Sequence, residues 1–335
     1  MNEILQCGSV SFVGMEKNTG KTECMNSVLS ACCAAGKVVG LTSVGLDGES
    51  TDQVTGTAKP EIPLAAGSLF VTAEKYFRQQ RLAAEVLAVS RMQTAVGRLV
   101  TARMRLPGKV MLSGPVSTAA LRQTIRDLRG LGSELVLVDG ALSRKSFGSP
   151  TVTDGLVLST GAALSPNLPE LVRRTQYLCA LMDLPRYESP NETQLLEIEG
   201  GIWALTDDGQ CVDLGISSAF LLEKFRDRLF AHGHRLFVSG AVGDKLLDFL
   251  RIQPEIHNIE LVIKDFTQIF ASVSSFRAFE QKGGRLRVLL RPRLLGVSVN
   301  PWSPSGYVMD SERLCAALRE VTQVPVFDVR NWVQS

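Results

Sequence analysis

The chain is poor in the residues by which chemistry usually announces itself. It carries three histidines in 335 residues, and aromatic side chains make up 6%. Only His232 and His234 are close together, flanking a glycine, and no third ligand stands near them in sequence. That pattern does not read as a zinc site. Seven cysteines (Cys7, Cys24, Cys32, Cys33, Cys179, Cys211 and Cys315) are scattered, odd in number and without a CxxC pair. They read as buried thiols in a reducing compartment, not as a disulfide framework. No run of 18 apolar residues occurs, and the opening "MNEILQCGSVSFVG" has no basic start followed by a long apolar stretch. The expectation is a soluble, cytoplasmic protein with no membrane partner. A net charge of +2 leaves no polybasic surface for nucleic acid. No Ser-His-Asp order can be read from the spacing, so a hydrolytic nucleophile is unsupported.

What is present is an ordinary globular balance, 45% apolar and 21% charged, enough for a sizeable core without disulfides. Apolar runs at 9–14, 37–45, 67–73, 97–104, 108–115, 134–141, 154–164 and 294–300 read as buried strands. Helical spacing is read after residue 22, over 73–89, 117–130, 167–182 and 310–321, with a last strand at 324–329. Strands that are apolar throughout and alternate with helices belong to a parallel sheet covered on both faces. From about 183 the texture changes. "LLEIEGGIWALTDDGQCVDLG" alternates apolar and polar residues and reads as short, partly antiparallel strands. A helix over 216–231 and strands at 235–242, 259–265 and 285–291 follow. The fold class is α/β, a mostly parallel doubly wound sheet with an inserted α/β subdomain. The core is placed at 1–182, the insertion at 183–291 and the completion of the core at 292–335.

The most informative stretch is "GMEKNTGKT", Gly14 to Thr22. A loop that cradles phosphates needs inward backbone N–H groups, a lysine for the terminal phosphates and a hydroxyl for Mg²⁺. It also needs a helix starting there, whose N-terminus is electropositive. Gly20, Lys21 and Thr22 supply the glycine, the cation and the hydroxyl between a strand and a helix. The usual first glycine would fall at Met15; Gly14 stands one place earlier and Glu16 follows. The loop residues expected around the nucleotide are Gly14, Glu16, Lys17, Asn18, Thr19, Gly20, Lys21 and Thr22. After the second strand, "LDGESTD" puts Asp47, Glu49 and Asp52 on the ligand side of an open sheet. A third Mg²⁺ ligand or γ-phosphate sensor is one reading, with Asp47 first, and a solvated acidic turn is the other. Arg144 and Lys145 either offset phosphate charge or form an ordinary basic loop.

The loop resembles that of dethiobiotin synthetase and its relatives among the P-loop NTPases, which carry an acidic residue where Glu16 stands. Their strand ending in V-E-G-A resembles "LVDGA", and the resemblance implies Asp139 as a Mg²⁺ carboxylate. Their late strand ending in an asparagine resembles "GVSVNP" and implies Asn300 beside adenine. ATP and Mg²⁺ are the implied ligands. Lys21, Asp47, Asp139 and Glu16 are the catalytic candidates, and Thr22, Asp47 and Asp139 the metal candidates.

A narrower likeness rests on "GMEKNTGKTECMN", "LTSVGLDGES", "GSLFVTAE", "VLVDGALSRKS" and "LSTGAAL". These are similar to the P-loop subunit of the reactivase of B12-dependent lysine 5,6-aminomutase and ornithine aminomutase. That resemblance implies an ATPase that helps release damaged cobalamin, with a MutS-like ATPase subunit and the aminomutase as protein partners. An ATP-dependent synthetase of the dethiobiotin synthetase type, or a nucleotide-switched binding protein, stays open as an alternative.

Overall fold

The computed structural model describes residues 2–44, 61–94, 97–140, 152–217 and 219–328. Its contacts divide the chain into two units, Met1–Gln176 with Pro292–Ser335, and Tyr177–Arg291. The change of texture in the sequence puts the start of the insertion at 183; the second unit starts earlier, within a helix that runs on to Met182.

In chain order the first unit contains α1 (Asn2–Gln6), β1 (Ser9–Gly14), α2 (Lys21–Ala34), β2 (Val39–Ser43), β3 (Ile62–Leu64), β4 (Leu69–Ala73) and α3 (Glu74–Gln79). It continues with β5 (Ala84–Thr94), β6 (Gly97–Met104), β7 (Gly108–Val110), α4 (Thr118–Gly130), β8 (Leu135–Asp139), β9 (Gly155–Gly161) and the start of α5 (Leu168–Met182). The second unit holds α6 (Glu192–Glu197), β10 (Ile202–Leu205), β11 (Cys211–Ile216), α7 (Arg226–Leu229), β12 (Arg235–Val238), α8 (Asp244–Arg251), β13 (Glu260–Ile263), α9 (Val273–Gln281) and β14 (Arg285–Val288). The chain then returns to the first unit with β15 (Leu294–Asn300), α10 (Ser311–Arg319) and β16 (Val326–Asp328).

The first unit is built on a nine-stranded sheet in the order β16-β15-β9-β1-β8-β2-β4-β6-β5. Every neighbour pair from β16 to β4 is parallel, and β6 and β5 add an antiparallel edge. The continuous apolar runs follow from burial on both faces. On β8, Leu135 and Leu137 pack with Met25, Val28 and Leu29 of α2. Val136 and Val138 between them pack with Leu121, Ile125 and Leu128 of α4. Successive side chains of one strand thus feed two different helix layers. Ser117 caps α4, its side chain accepting from Ala120 N–H. The buried hydroxyls of Ser9 and Ser11 are satisfied by Asp154 N–H at 3.1 Å and the Thr153 hydroxyl at 3.0 Å.

Three sequence expectations fail here. The strand read over 108–115 ends at Val110 and pairs antiparallel with β3, outside the nine-stranded sheet. The helix read over 73–89 ends at Gln79. Arg81 has φ 44, a left-handed conformation that stops it, and Ala84–Thr94 pairs antiparallel with β6. The apolar content of "LAAEVLAV" suits a helix face and a strand equally, and the partner strand decides. The helix read over 216–231 is a 3₁₀ stretch, Ala219–Phe225, followed by the single-turn α7. The cysteines are not uniformly buried: Cys7, Cys24, Cys32 and Cys315 are, while Cys33 is exposed. Burial pushes the Cys24 thiol up to about 12, so it stays protonated and inert at neutral pH.

The second unit has a five-stranded sheet, β11-β10-β12-β13-β14, antiparallel at β11-β10-β12 and parallel at β12-β13-β14. Phe237, Val262, Leu195, Leu205 and Leu289 form its own apolar cluster.

Candidate functional site

Four strand ends meet at one place on the first sheet. β1 lies between β8 and β9, with Phe12 opposite Asp139 and Gly14 opposite Ser159. β15 lies beyond β9, with Asn300 opposite Gly161. All four strands are parallel, so Gly14, Asp139, Gly161 and Asn300 stand together at their C-terminal ends. The connection from β1 leads to β2 on one side of the sheet, and that from β9 leads towards β15 on the other. Open α/β sheets form their ligand crevice at such a reversal.

The loop from Gly14 to Thr22 is held there by specific contacts. Met15 N–H donates to Ser159 O at 3.0 Å. The Thr19 hydroxyl, in a residue only 1% exposed, donates to Glu16 O at 2.9 Å. Asn18 and Gly20 have φ 63 and φ 87. These two left-handed residues bend the chain back so that α2 can begin at Lys21. Asn300 clamps the bend, its amide donating to Asn18 O at 3.0 Å and accepting from Trp302 N–H at 3.2 Å. A Cβ on Gly20 would sit 2.8 Å from Asn300 Cβ, so the glycine serves the clamp as well as the turn. An amide has two N–H groups and two lone pairs, which leaves Asn300 one of each beyond this clamp.

The start of α2 has no side-chain cap. The first donor of the helix to find a backbone acceptor is Cys24 N–H, on Gly20 O at 2.9 Å. The N–H groups of Gly20, Lys21 and Thr22 meet no acceptor among the described residues. Uncapped N–H groups at a helix N-terminus attract an anion. Beside them, Lys21 Nζ lies 2.6 Å from Asp139 Oδ1 and donates to Gly140 O at 2.9 Å. Both side chains are about a quarter to a third exposed, at 25% and 29%. Asp139 Oδ1 is itself shielded from solvent, and this ion pair is its only compensation, since no hydrogen bond reaches it among the described residues.

Gly14, Glu16, Lys17, Asn18, Thr19, Gly20, Lys21, Thr22, Asp139 and Asn300 are therefore gathered at one strand-end cluster. Asp47, Glu49, Asp52, Arg144 and Lys145 lie outside the described residues. No sequence pattern points to Arg174 on α5. Its guanidinium holds Leu164 O at 3.0 Å and Glu16 Oε1 at 3.3 Å. Next to it, the buried Thr175 hydroxyl reaches Thr160 Oγ1 at 3.0 Å and Met15 Sδ at 3.4 Å. Neither contact has a local signature, because 158 residues separate Arg174 from Glu16.

A cavity of about 530 Å³ lined by Arg81, Leu82, Met104, Leu106 and Lys109 lies elsewhere in this unit and includes none of these residues. Size alone does not mark the chemistry; converging donors and a paired lysine do. Among the described residues no group of three or more His, Cys, Asp or Glu is placed to hold a metal, and no helix is long and apolar enough to cross a membrane. Comparison with protein-family models, with curated proteins and with solved structures gives no match to this chain.

Proposed function

We propose that the 14–22 loop binds the phosphates of a nucleoside triphosphate, with ATP as the ligand, and that the chain is a P-loop NTPase. The observation that carries this reading is the Lys21 ammonium held against Asp139 at the mouth of an uncapped helix N-terminus. Without a phosphate, the lysine compensates a shielded carboxylate and a carbonyl. With one, it turns to the anion, and Asp139 is released.

The residues present fit a Mg²⁺-nucleotide. Thr22 and Asp139 would hold the cation, which supplies charge compensation to the phosphates when bound. The chain's own part is positioning: N–H groups of the loop orient the phosphates, Lys21 draws the terminal ones, and Asn300 keeps the loop closed beneath them.

The finer reading is an ATPase subunit that helps reactivate an adenosylcobalamin-dependent aminomutase by freeing damaged cobalamin. It is supported by the sequence phrases quoted above, and the second unit is the natural surface for the protein partners. The test is Mg-ATP hydrolysis by the purified chain, alone and then with a B12-dependent aminomutase and a MutS-like ATPase. Slow hydrolysis that rises with those proteins, together with release of bound cobalamin, supports it. Hydrolysis that ignores the proteins and needs a small carboxylic or amine substrate hands the site to a synthetase.

A further inference from the structure

The second unit gathers charge at the N-terminal ends of its parallel strands, away from any role assigned so far. Arg235, Glu260 and Arg285 open β12, β13 and β14 and are register partners, Arg235 opposite Glu260 and Glu260 opposite Arg285. They form one row on one face, with Arg287 two residues along β14 on the same side. Glu260 is 6% exposed. Its Oε2 takes Arg235 Nε at 2.8 Å and its Oε1 takes Arg287 Nε at 2.7 Å. Both oxygens of the carboxylate are thereby engaged by guanidinium groups, and Arg285, whose Nε is 4.0 Å from Oε1, is within ion-pair distance but beyond hydrogen-bond reach. Arg285 therefore shares the Glu260 charge only at the limit of an ion pair, and its five donors make no hydrogen bond among the described residues.

A polar cavity of about 200 Å³ opens over this row, lined by His232, His234, Arg235, Asn258, Glu260 and Arg285 among others. The lining is rich in donors and its one buried acceptor is already spoken for. Asp207 also borders it, but that side chain is fully exposed and only 3.7 Å contact with Arg235 ties it down. Arg235 is fixed from below by the Tyr187 ring, 5.7 Å from its guanidinium carbon. Two of the chain's three histidines stand at the rim, one of them, His234, stacked on Phe230 at 5.3 Å.

We infer that this cavity is a second anion site, binding a phosphate-class oxyanion through Arg285 and the donors of Arg235 that Glu260 does not take. A tetrahedral oxyanion offers several acceptors to forked guanidinium donors, which is the chemistry that an excess of arginine over carboxylate selects. It is independent of the loop site, and the test keeps them apart.

Inorganic diphosphate and inorganic phosphate are titrated calorimetrically into the full chain carrying Lys21→Ala, which removes the lysine of the loop. Saturable one-to-one binding of either anion is expected. It weakens tenfold or more with Arg285→Gln added and is abolished by Arg285→Glu. Arg293→Gln, an equal charge change at an exposed site, leaves it unchanged, as thermal melts of all variants remain superimposable. Absence of saturable binding in the Lys21→Ala chain, or equal affinity with and without Arg285, overturns the inference.

Discussion

Single residues hold the loop in shape, and each makes a separable prediction. Gly20 is required by its φ of 87 and by the 2.8 Å approach to Asn300 Cβ. Gly36 also has positive φ, at 69, but opens onto free space. Gly36→Ala is therefore expected to cost about 1 kcal/mol, the left-handed penalty alone. Gly20→Ala is expected to cost clearly more and to weaken nucleotide binding as well, because the Asn300 clamp must move. Urea unfolding of the two variants, with ATP titration of each, checks the contrast. Asp139→Asn is expected to lower Mg²⁺-dependent turnover about tenfold or more and to raise the Mg²⁺ concentration needed for half-maximal rate. An unchanged rate and Mg²⁺ dependence would remove Asp139 from the site. Arg174 pairs with Glu16 in a half-exposed setting, so the pair itself contributes little stability. Its removal sets a carboxylate loose beside incoming phosphates. Arg174→Ala is expected to weaken ATP affinity about three- to tenfold, roughly 1 kcal/mol, with the melting curve nearly unmoved; calorimetry and a thermal melt separate the two.

At the scale of elements, the sheet owes its stability to strands that serve two helix layers. Leu137 is fully buried in the layer shared with α2. Leu137→Ala is expected to cost about 2–5 kcal/mol, read as a lower urea midpoint at constant slope. How far these elements are legible in sequence depends on how local their causes are. "SVSFVG" and "ELVLVDG" read as buried strands because short, continuously apolar runs bounded by glycine suit a covered parallel sheet, and they are β1 and β8. α5 and α10 show their helical spacing and cap residues plainly. "LAAEVLAV" did not, since only antiparallel pairing with β6 makes it a strand. The loop was legible for the same reason as β1: strand, glycine, lysine, hydroxyl and helix follow one another within a few residues. The neighbourhood of Asp139 and Asn300 was suggested only by the order of short phrases. Arg174 was invisible, because its partner is brought to it by the sheet and not by the chain.

For the whole molecule, two units with separate cores carry two separate charge arrangements. In the first, a helix N-terminus unanswered among the described residues and a lysine held on a carboxylate stand at the strand ends. In the second, a row of arginines outnumbers its carboxylate. A ligand confined to the first unit stabilises it by mass action, about 2.7 kcal/mol at a hundred times its Kd. The central claim is that the 14–22 loop is a nucleotide site, and its most direct measurement is calorimetric titration of Mg-ATP into the wild-type chain and into Lys21→Ala. The account predicts saturable one-to-one binding in the wild type and a loss of about a hundredfold or more in the variant, equivalent to roughly 3 kcal/mol for a charge-assisted phosphate contact. No binding by the wild type, or equal affinity in both, would contradict it.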